Sequence, residues 1–357
     1  MNASIKKLGE NHGSSKQSLG RLELESVMVR YLNHFKTWGD VAKNRLWMHL
    51  ELRVLIALLI IFGVFTSFSR QFLGPHILPG ILLTGAELGI IAIGMSLLII
   101  SGEIDLSVAS VYGWGVFLAT VPTNMGLPFP LSVLIALAFG CFVGFLNGFI
   151  TVRCKIPSFI TTLGSMWILR GLEIGAFGQS FISYKGAPSL LLNSLEGRIW
   201  FIPRLFFWFL GLAAIFSIIL TRTRFGNWVF ATGGDKETAK ALGVRVDRVK
   251  LACFMITSTL AAFAGVAYLG RTKWFMGRVG MTQLGYGLEI EAICIAIMGG
   301  TSFSGGVGSI PAVCLAALAF SSFRNGLILT GVSGYWLDAF VAILLITFVI
   351  LHTIRKR

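Results

Sequence analysis

The stretch Leu106–Val152, LSVASVYGWGVFLATVPTNMGLPFPLSVLIALAFGCFVGFLNGFITV, holds no Lys, Arg, Asp or Glu. A helix that crosses a bilayer needs about 20 apolar residues at about 1.5 Å of rise each. A charge-free run of this length supplies two such helices. Pro122, Asn124, Gly126, Pro128 and Pro130 mark the turn between them. The reading is therefore an all-α, polytopic transmembrane bundle.

The rest of the chain agrees. Of 357 residues, 55% are hydrophobic and 13% charged, and the mean hydropathy is +0.79. A soluble chain carries roughly 25% charged residues, so this one cannot cover itself with polar surface in water. The composition excludes a cytosolic enzyme, a disordered chain and a disulfide scaffold. Eight further apolar stretches are Val54–Phe68, Ile81–Ile100, Ile156–Phe177, Leu205–Leu220, Leu251–Gly270, Ile290–Gly300, Gly305–Phe323 and Ala339–Ile354. With the central pair they predict about ten spans, the eighth and ninth separated by a Gly/Ser-rich break.

Charge fixes the expected orientation. The net charge is +14, a balance that suits cytoplasmic loops against anionic lipid better than nucleic acid. With the N-terminus inside, the segments 1–53, 153–155, 222–250 and 355–357 face the cytoplasm. They carry 9, 2, 7 and 3 of the 30 Lys and Arg. Both termini are then cytoplasmic, and a slip of one span would place Arg355, Lys356 and Arg357 outside. Residues 1–50 read as a cytoplasmic extension, a partly loose tail or a membrane-surface helix, ahead of a transmembrane domain over 51–357. The five Cys and five His are scattered, so no metal site and no disulfide framework are expected.

Three features bear on chemistry. The loop 222–250 contains GGDKETAKALG (233–243). Gly233 and Gly234 break the chain, Asp235 suits an N-cap, Glu237 sits in the first turn, and Gly243 stops the helix. About two turns of helix result, too few to stand alone in water. Either the segment docks on a partner or it is an ordinary basic loop. The second feature is Ser101–Ser107, SGEIDLS, where Glu103 and Asp105 lie between long apolar runs. Charge inside a span is costly. These carboxylates either line a path at a broken helix or cap the next helix. The third is GGTSFSGGVGS (299–309), which lacks the Gly-Lys-[Ser/Thr] of a phosphate-binding loop. Ile91-Ala92-Ile93 and Glu291-Ala292-Ile293 precede the second and third features at matching distances and hint at an internal repeat with interrupted helices. Arg170 and Glu173, spaced i, i+3, suit mutual neutralisation on one helix face. Glu87, Glu289, Glu291, Arg324 and Asp338 are further charges within apolar surroundings. Asn147 is a polar candidate for contact with a solute.

At these residues the sequence resembles the permease subunits of ribose-type bacterial ATP-binding-cassette sugar importers, the family that handles ribose, xylose, galactose and the autoinducer-2 sugar. The resemblance runs over about residues 53–357 and rests on IAIGMSLLIISGEIDLSVAS (91–110), CKIPSFITTLGSMWILRGL (154–172), FATGGDKETAKALGVRVDRVKLACFMITSTLAAFAG (230–265), AICIAIMGGTSFSGGVGSIPA (292–312) and RNGLILTGVSGYW (324–336). It implies a permease that pairs with a second copy or a homologous permease. It also implies a pair of ATP-binding subunits, a periplasmic sugar-binding protein and a place in the bacterial inner membrane. It assigns Gly233, Gly234, Asp235, Glu237, Ala239 and Gly243 to ATPase coupling. The chain has no catalytic residues of its own and no cofactor; ATP-Mg belongs to the partner. Glu103 stands where the family usually has the second Gly before Ile-Asp-Leu-Ser. The expected translocation path takes in Glu103, Asp105, Ser107, Asn147 and Glu289. Two other classes stand beside this one. An ion-gradient transporter would use Glu87, Asp105 and Glu289 as proton carriers. A membrane-embedded transferase would need a His or carboxylate cluster that only Glu103/Asp105 approaches.

Overall fold

The computed structural model describes residues 50–177, 181–272, 274–276 and 284–355. The expected extension over residues 1–50 lies almost wholly outside them. Each predicted apolar stretch forms a helix. In chain order these are α1 (Leu50–Phe68), α2 (Ile77–Ile100), α3 (Val108–Asn124), α4 (Phe129–Cys154), α5 (Ser158–Phe177), α7 (Arg204–Arg222), α10 (Val246–Thr272), α11 (Leu288–Met298), α12 (Ile310–Leu329) and α13 (Gly334–Arg355). Three short helices are added: α6 (Leu190–Leu195), α8 (Arg224–Gly234) and α9 (Lys236–Ala241). Six of the described helices, α1, α2, α4, α7, α10 and α12, are long and apolar enough to cross a bilayer on their own. The helix α11 has 11 residues, about half the rise a bilayer needs.

Burial sorts the six. Along its spanning window α2 is 89% buried, whereas α1 is 11% and α7 17% buried. An all-round apolar helix belongs in the middle of a bundle, and α2 occupies that place, flanked by α10, α11 and α12. The outward faces of α1 and α7 carry Leu59, Ile60, Ile215 and Ile218; apolar surface of that kind suits lipid rather than water.

The helix α10 is the other centre, packed on α2, α3 and α4. Its seam with α4 is set by Gly140, Gly144 and Gly148, spaced four apart on one helical face. A methyl group on Gly140 would stand 2.7 Å from the Ser258 carbonyl oxygen, and one on Gly144 2.5 Å from that of Phe254. Small residues are what let helix backbones approach in a membrane, where lipid removes the usual hydrophobic drive.

Beyond α5 and α10 the chain forms a short antiparallel ladder, β1 (Phe181–Ser183) with β4 (Trp274–Met276), in which Ser183 opposes Trp274. It ties the C-terminal ends of the two helices to the same side. A second small ladder joins β2 (Arg198–Ile199) and β3 (Ile202–Pro203) ahead of α7.

Candidate coupling element and polar clusters

The predicted short helix is α9. Asp235 is its N-cap: the carboxylate accepts hydrogen bonds from the Glu237 and Thr238 N–H groups at 3.0 and 3.1 Å and from the Thr238 hydroxyl at 2.6 Å. These bonds, the Thr238 hydroxyl first, hold the exposed carboxyl below the usual aspartate range. At the other end Gly243 adopts φ +85°. Its N–H bonds the Lys240 carbonyl, and the Val244 N–H reaches back to that of Ala239. This paired closure requires a left-handed residue, which glycine supplies without strain. Ala239 is buried, while Glu237 and Leu242 are exposed, Leu242 at 79%. The helix is anchored by one small residue and turns the rest of its surface outward.

The same closure ends α2 and α11. Gly102 has φ +86° and Gly300 φ +80°. The Glu103 N–H bonds the Leu98 carbonyl as the Thr301 N–H bonds that of Ala296. The two interrupted helices therefore stop by one mechanism, and Ser96 and Thr301 share a hydrogen bond of 3.0 Å between them. The shared feature is a glycine two residues past the last helical residue, Ile100 in α2 and Met298 in α11.

After the first stop the chain folds back between helices. Asp105 accepts from the Ser107 N–H (2.8 Å), the Ser107 hydroxyl (2.6 Å) and the Ser258 hydroxyl on α10 (2.9 Å). Asn147 on α4 donates to the Ser107 oxygen at 2.8 Å and accepts from Ser165 on α5 at 2.5 Å. Asp105, Ser107, Asn147 and Ser258 have no exposed surface. Three of the five expected path residues are thus engaged with one another in a closed knot. Ser165 and Ser258, which complete it, carried no sequence signal, since lone serines in apolar helices are common. Glu103 lies apart from the knot and is paired with Lys250 at the base of α10. The residue that departs from the resemblance therefore has a charge partner.

A second polar cluster lies further along the helices. Glu87 on α2 accepts from the Tyr112 hydroxyl and is paired with Arg271 at 3.5 Å, and Arg271 in turn lies 4.7 Å over the Tyr268 ring. One residue past Tyr112, Gly113 leaves room for Glu173, whose Oε1 would stand 2.6 Å from a methyl group there. The predicted neutralisation of Arg170 by Glu173 does not close: no salt bridge joins them among the described residues. The Arg170 guanidinium is instead flanked by the Trp167 and Tyr286 rings at 5.8 and 5.6 Å. Its charge acts on both Glu173 and Glu289. All three residues are at least nine-tenths buried, and Arg170 Nη2, Glu173 Oε1 and Glu289 Oε2 have no hydrogen-bond partner among the described residues. Glu291, by contrast, is paired with Arg324 at 2.7 Å. Among the described residues no group of His, Cys, Asp and Glu is arranged to hold a metal ion. The two carboxylates that came nearest to a transferase cluster are separated, Glu103 going to Lys250 and Asp105 to the knot.

Comparison with known proteins places this architecture. A family model described as "Branched-chain amino acid transport system / permease component" matches residues 77–349. The chain belongs to this permease family. Among its relatives are the autoinducer 2 import system permease protein of Photorhabdus luminescens, 30% identical over 301 residues (84% of this chain and 88% of the relative). The corresponding protein of an Enterobacter species is 31% identical over 314 residues, 87% of each chain. The xylose/arabinose import permease protein of Sulfolobus acidocaldarius is 30% identical over 285 residues, 76% of each chain. No solved structure matches the permease significantly. The match makes it a multi-pass permease subunit of an ATP-binding-cassette importer in the cytoplasmic membrane, a transport subunit rather than an enzyme.

Proposed function

We propose that this permease carries a sugar or related polyol, delivered by a periplasmic binding protein, into the cytoplasm. ATP-Mg is bound and hydrolysed by a separate pair of ATP-binding subunits, and the permease works with a second copy or a homologous permease. The single observation that carries this reading is the similarity, at about 30% identity over most of both chains, to permeases named for autoinducer 2 and for xylose/arabinose import. The arrangement of ten spans with interrupted helices, both termini cytoplasmic and the extension over 1–50 inside, follows from the charge count and belongs to the same proposal.

In this reading α9 is the docking element. A capped helix with one buried residue and an exposed acidic and apolar face meets the groove of a motor subunit, and Gly233, Gly234, Asp235, Glu237, Ala239 and Gly243 give it its shape. The solute path passes the cluster of Arg170, Glu173 and Glu289. Unpartnered buried polar atoms are costly unless water or a ligand joins them, and hydroxyl groups between a guanidinium and two carboxylates fill that need. Glu103 flanks the inner end of the path through its pair with Lys250, and the knot of Asp105, Ser107 and Asn147 forms its wall. The gradient-driven alternative loses support on chemical grounds. Of its three carriers, Glu87 is paired with Arg271 and hydrogen-bonded by the Tyr112 hydroxyl, and Asp105 accepts from three donors, which leaves only Glu289 open.

The test is co-purification in mild detergent from native membranes, with vanadate-sensitive ATP hydrolysis as the readout. The wild type is expected to retain an ATP-hydrolysing subunit, and a Glu237→Lys, Gly243→Pro variant to lose it. A wild-type complex that hydrolyses no ATP, under conditions that preserve another importer of this class, would overturn the importer reading.

A further inference from the structure

The end of α8 meets both helix breaks, backbone against backbone. The Gly306 N–H donates to the Ile100 carbonyl at 2.9 Å, joining the second break to the last turn of α2. Into this bond fits Gly233. A methyl group there would stand 1.8 Å from the Ile100 oxygen and 2.8 Å from the Gly306 nitrogen. From the other side, a methyl group on Gly305 would stand 2.7 Å from the Gly233 oxygen, and one on Gly306 2.7 Å from the Gly234 Cα. Gly305 and Gly306 also hold φ values of +81° and +74°, a region that side chains disfavour. Three chain segments that are distant in sequence therefore touch with no side chain between them.

We infer that this glycine joint is where motion of the docking helix enters the membrane domain, with Gly233, Gly305 and Gly306 as positioning residues for both interrupted helices. The inference rests on the importer reading and adds a route to it. Asp235 links α8 to α9 directly: it ends the first helix, with its N–H on the Ala231 carbonyl, and its side chain starts the second. A displacement of α9 is passed to Gly233 within two residues. Contact of main chain with main chain contains no rotamer that can relax, so the displacement reaches Ile100 and Gly306 undiminished. Packed contacts of this kind have discrete arrangements rather than continuous give. One movement then shifts the ends of α2 and α11 together.

The sequence provides its own control. Gly233 and Gly234 are adjacent in the same helix, yet a methyl group on Gly234 meets nothing within 4 Å. Gly233→Ala and Gly234→Ala alter helix propensity equally and differ only in the joint. Both residues shape the docking segment, so in complexes reconstituted with the ATP-binding subunits the change in thiol accessibility at the helix breaks on ATP–vanadate trapping is read per bound ATP-binding subunit. By that ratio the Gly234→Ala complex is expected to stay within about twofold of the wild type, and the Gly233→Ala complex to fall at least tenfold. Gly233→Ala behaving like Gly234→Ala would overturn the inference.

A second measurement uses the wild type alone, so a variant that fails to fold does not decide the matter. Hydrogen–deuterium exchange is compared between nucleotide-free and ATP–vanadate-trapped complexes. Peptides covering 99–107 and 299–309 are expected to change protection together with 233–243. A change confined to 233–243 would overturn the joint while leaving the importer reading intact. Failure of the wild type to hold any ATP-binding subunit would overturn both.

Discussion

The permease holds two clusters of buried polar residues, and they are built on opposite principles. In the knot around Asp105 the carboxylate oxygens and the Ser107, Ser258 and Asn147 groups are all partnered, with no exposed surface. In the cluster around Arg170, a guanidinium and two carboxylates are also buried, with 2–9% of their surface exposed, yet each keeps an atom without a partner among the described residues. A buried polar network stabilises only when its members are satisfied, so the first fastens α3, α4, α5 and α10 to one another. The second leaves buried polar atoms open at a cost that its own contacts among the described residues do not offset. In the reading proposed above, those open atoms are where the solute binds.

The contrast is easiest to break at the knot. Asp105→Ala removes an acceptor shared by three donors and leaves the Ser258 hydroxyl and the Ser107 N–H buried without it. At about 1.5–3 kcal/mol for each hydrogen bond to a charged group, the loss is expected to exceed about 3 kcal/mol. A thermal shift assay in detergent reads it, and an unchanged Tm would show that the knot does not hold the helices.

Glu289→Gln and Glu173→Gln test the open cluster from the other side. Each removes a charge that has no hydrogen-bond partner on one oxygen, so stability is expected to change by less than about 1 kcal/mol or to rise. Uptake into reconstituted vesicles of a sugar that the wild type imports is expected to fall at least tenfold. Variants that melt early and transport normally would make this cluster a structural one like the first.

The Glu103–Lys250 pair is intermediate, charged but partnered at the edge of the buried region. Glu103→Gly restores the residue the family usually carries. It is expected to cost about 1–3 kcal/mol, because the side chains of the pair are only 12% and 14% exposed and removing one leaves the other charge largely buried without its partner. A double-mutant cycle with Lys250→Met measures it.

The smallest effect belongs to Asp235 on the exposed helix. Asp235→Ala removes the N-cap that satisfies two backbone N–H groups of α9, so binding of the ATP-binding subunits is expected to weaken several-fold without a change in Tm. Acid has the same sense. The carboxyl titrates below the ordinary aspartate range in the folded protein. Its contribution is therefore complete above the unfolded aspartate value and is lost as pH falls through the lower folded one. A docking affinity independent of pH down to that range would agree.

The sequence by itself determined the class and the elements. A 55% hydrophobic chain with a charge-free run from Leu106 to Val152 has no stable state outside a membrane, and inside one each backbone group must be satisfied within its own helix. The short helix α9 was legible for the same local reason. Asp235, Gly243 and the residues between them fix its start and stop through bonds that span at most five residues. What only the tertiary structure decided is which polar residues meet. Ser258 reaches Asp105 across 153 positions of chain, and Gly306 reaches Ile100 across more than 200. Arg170 and Glu173 sit at a spacing that predicts a pair, and packing against Gly113, Trp167 and Tyr286 keeps them apart. Local rules set helix ends because their energies act within one turn. Partners between helices depend on how close two backbones come, which is set by the glycines of α4, α8 and the breaks acting together.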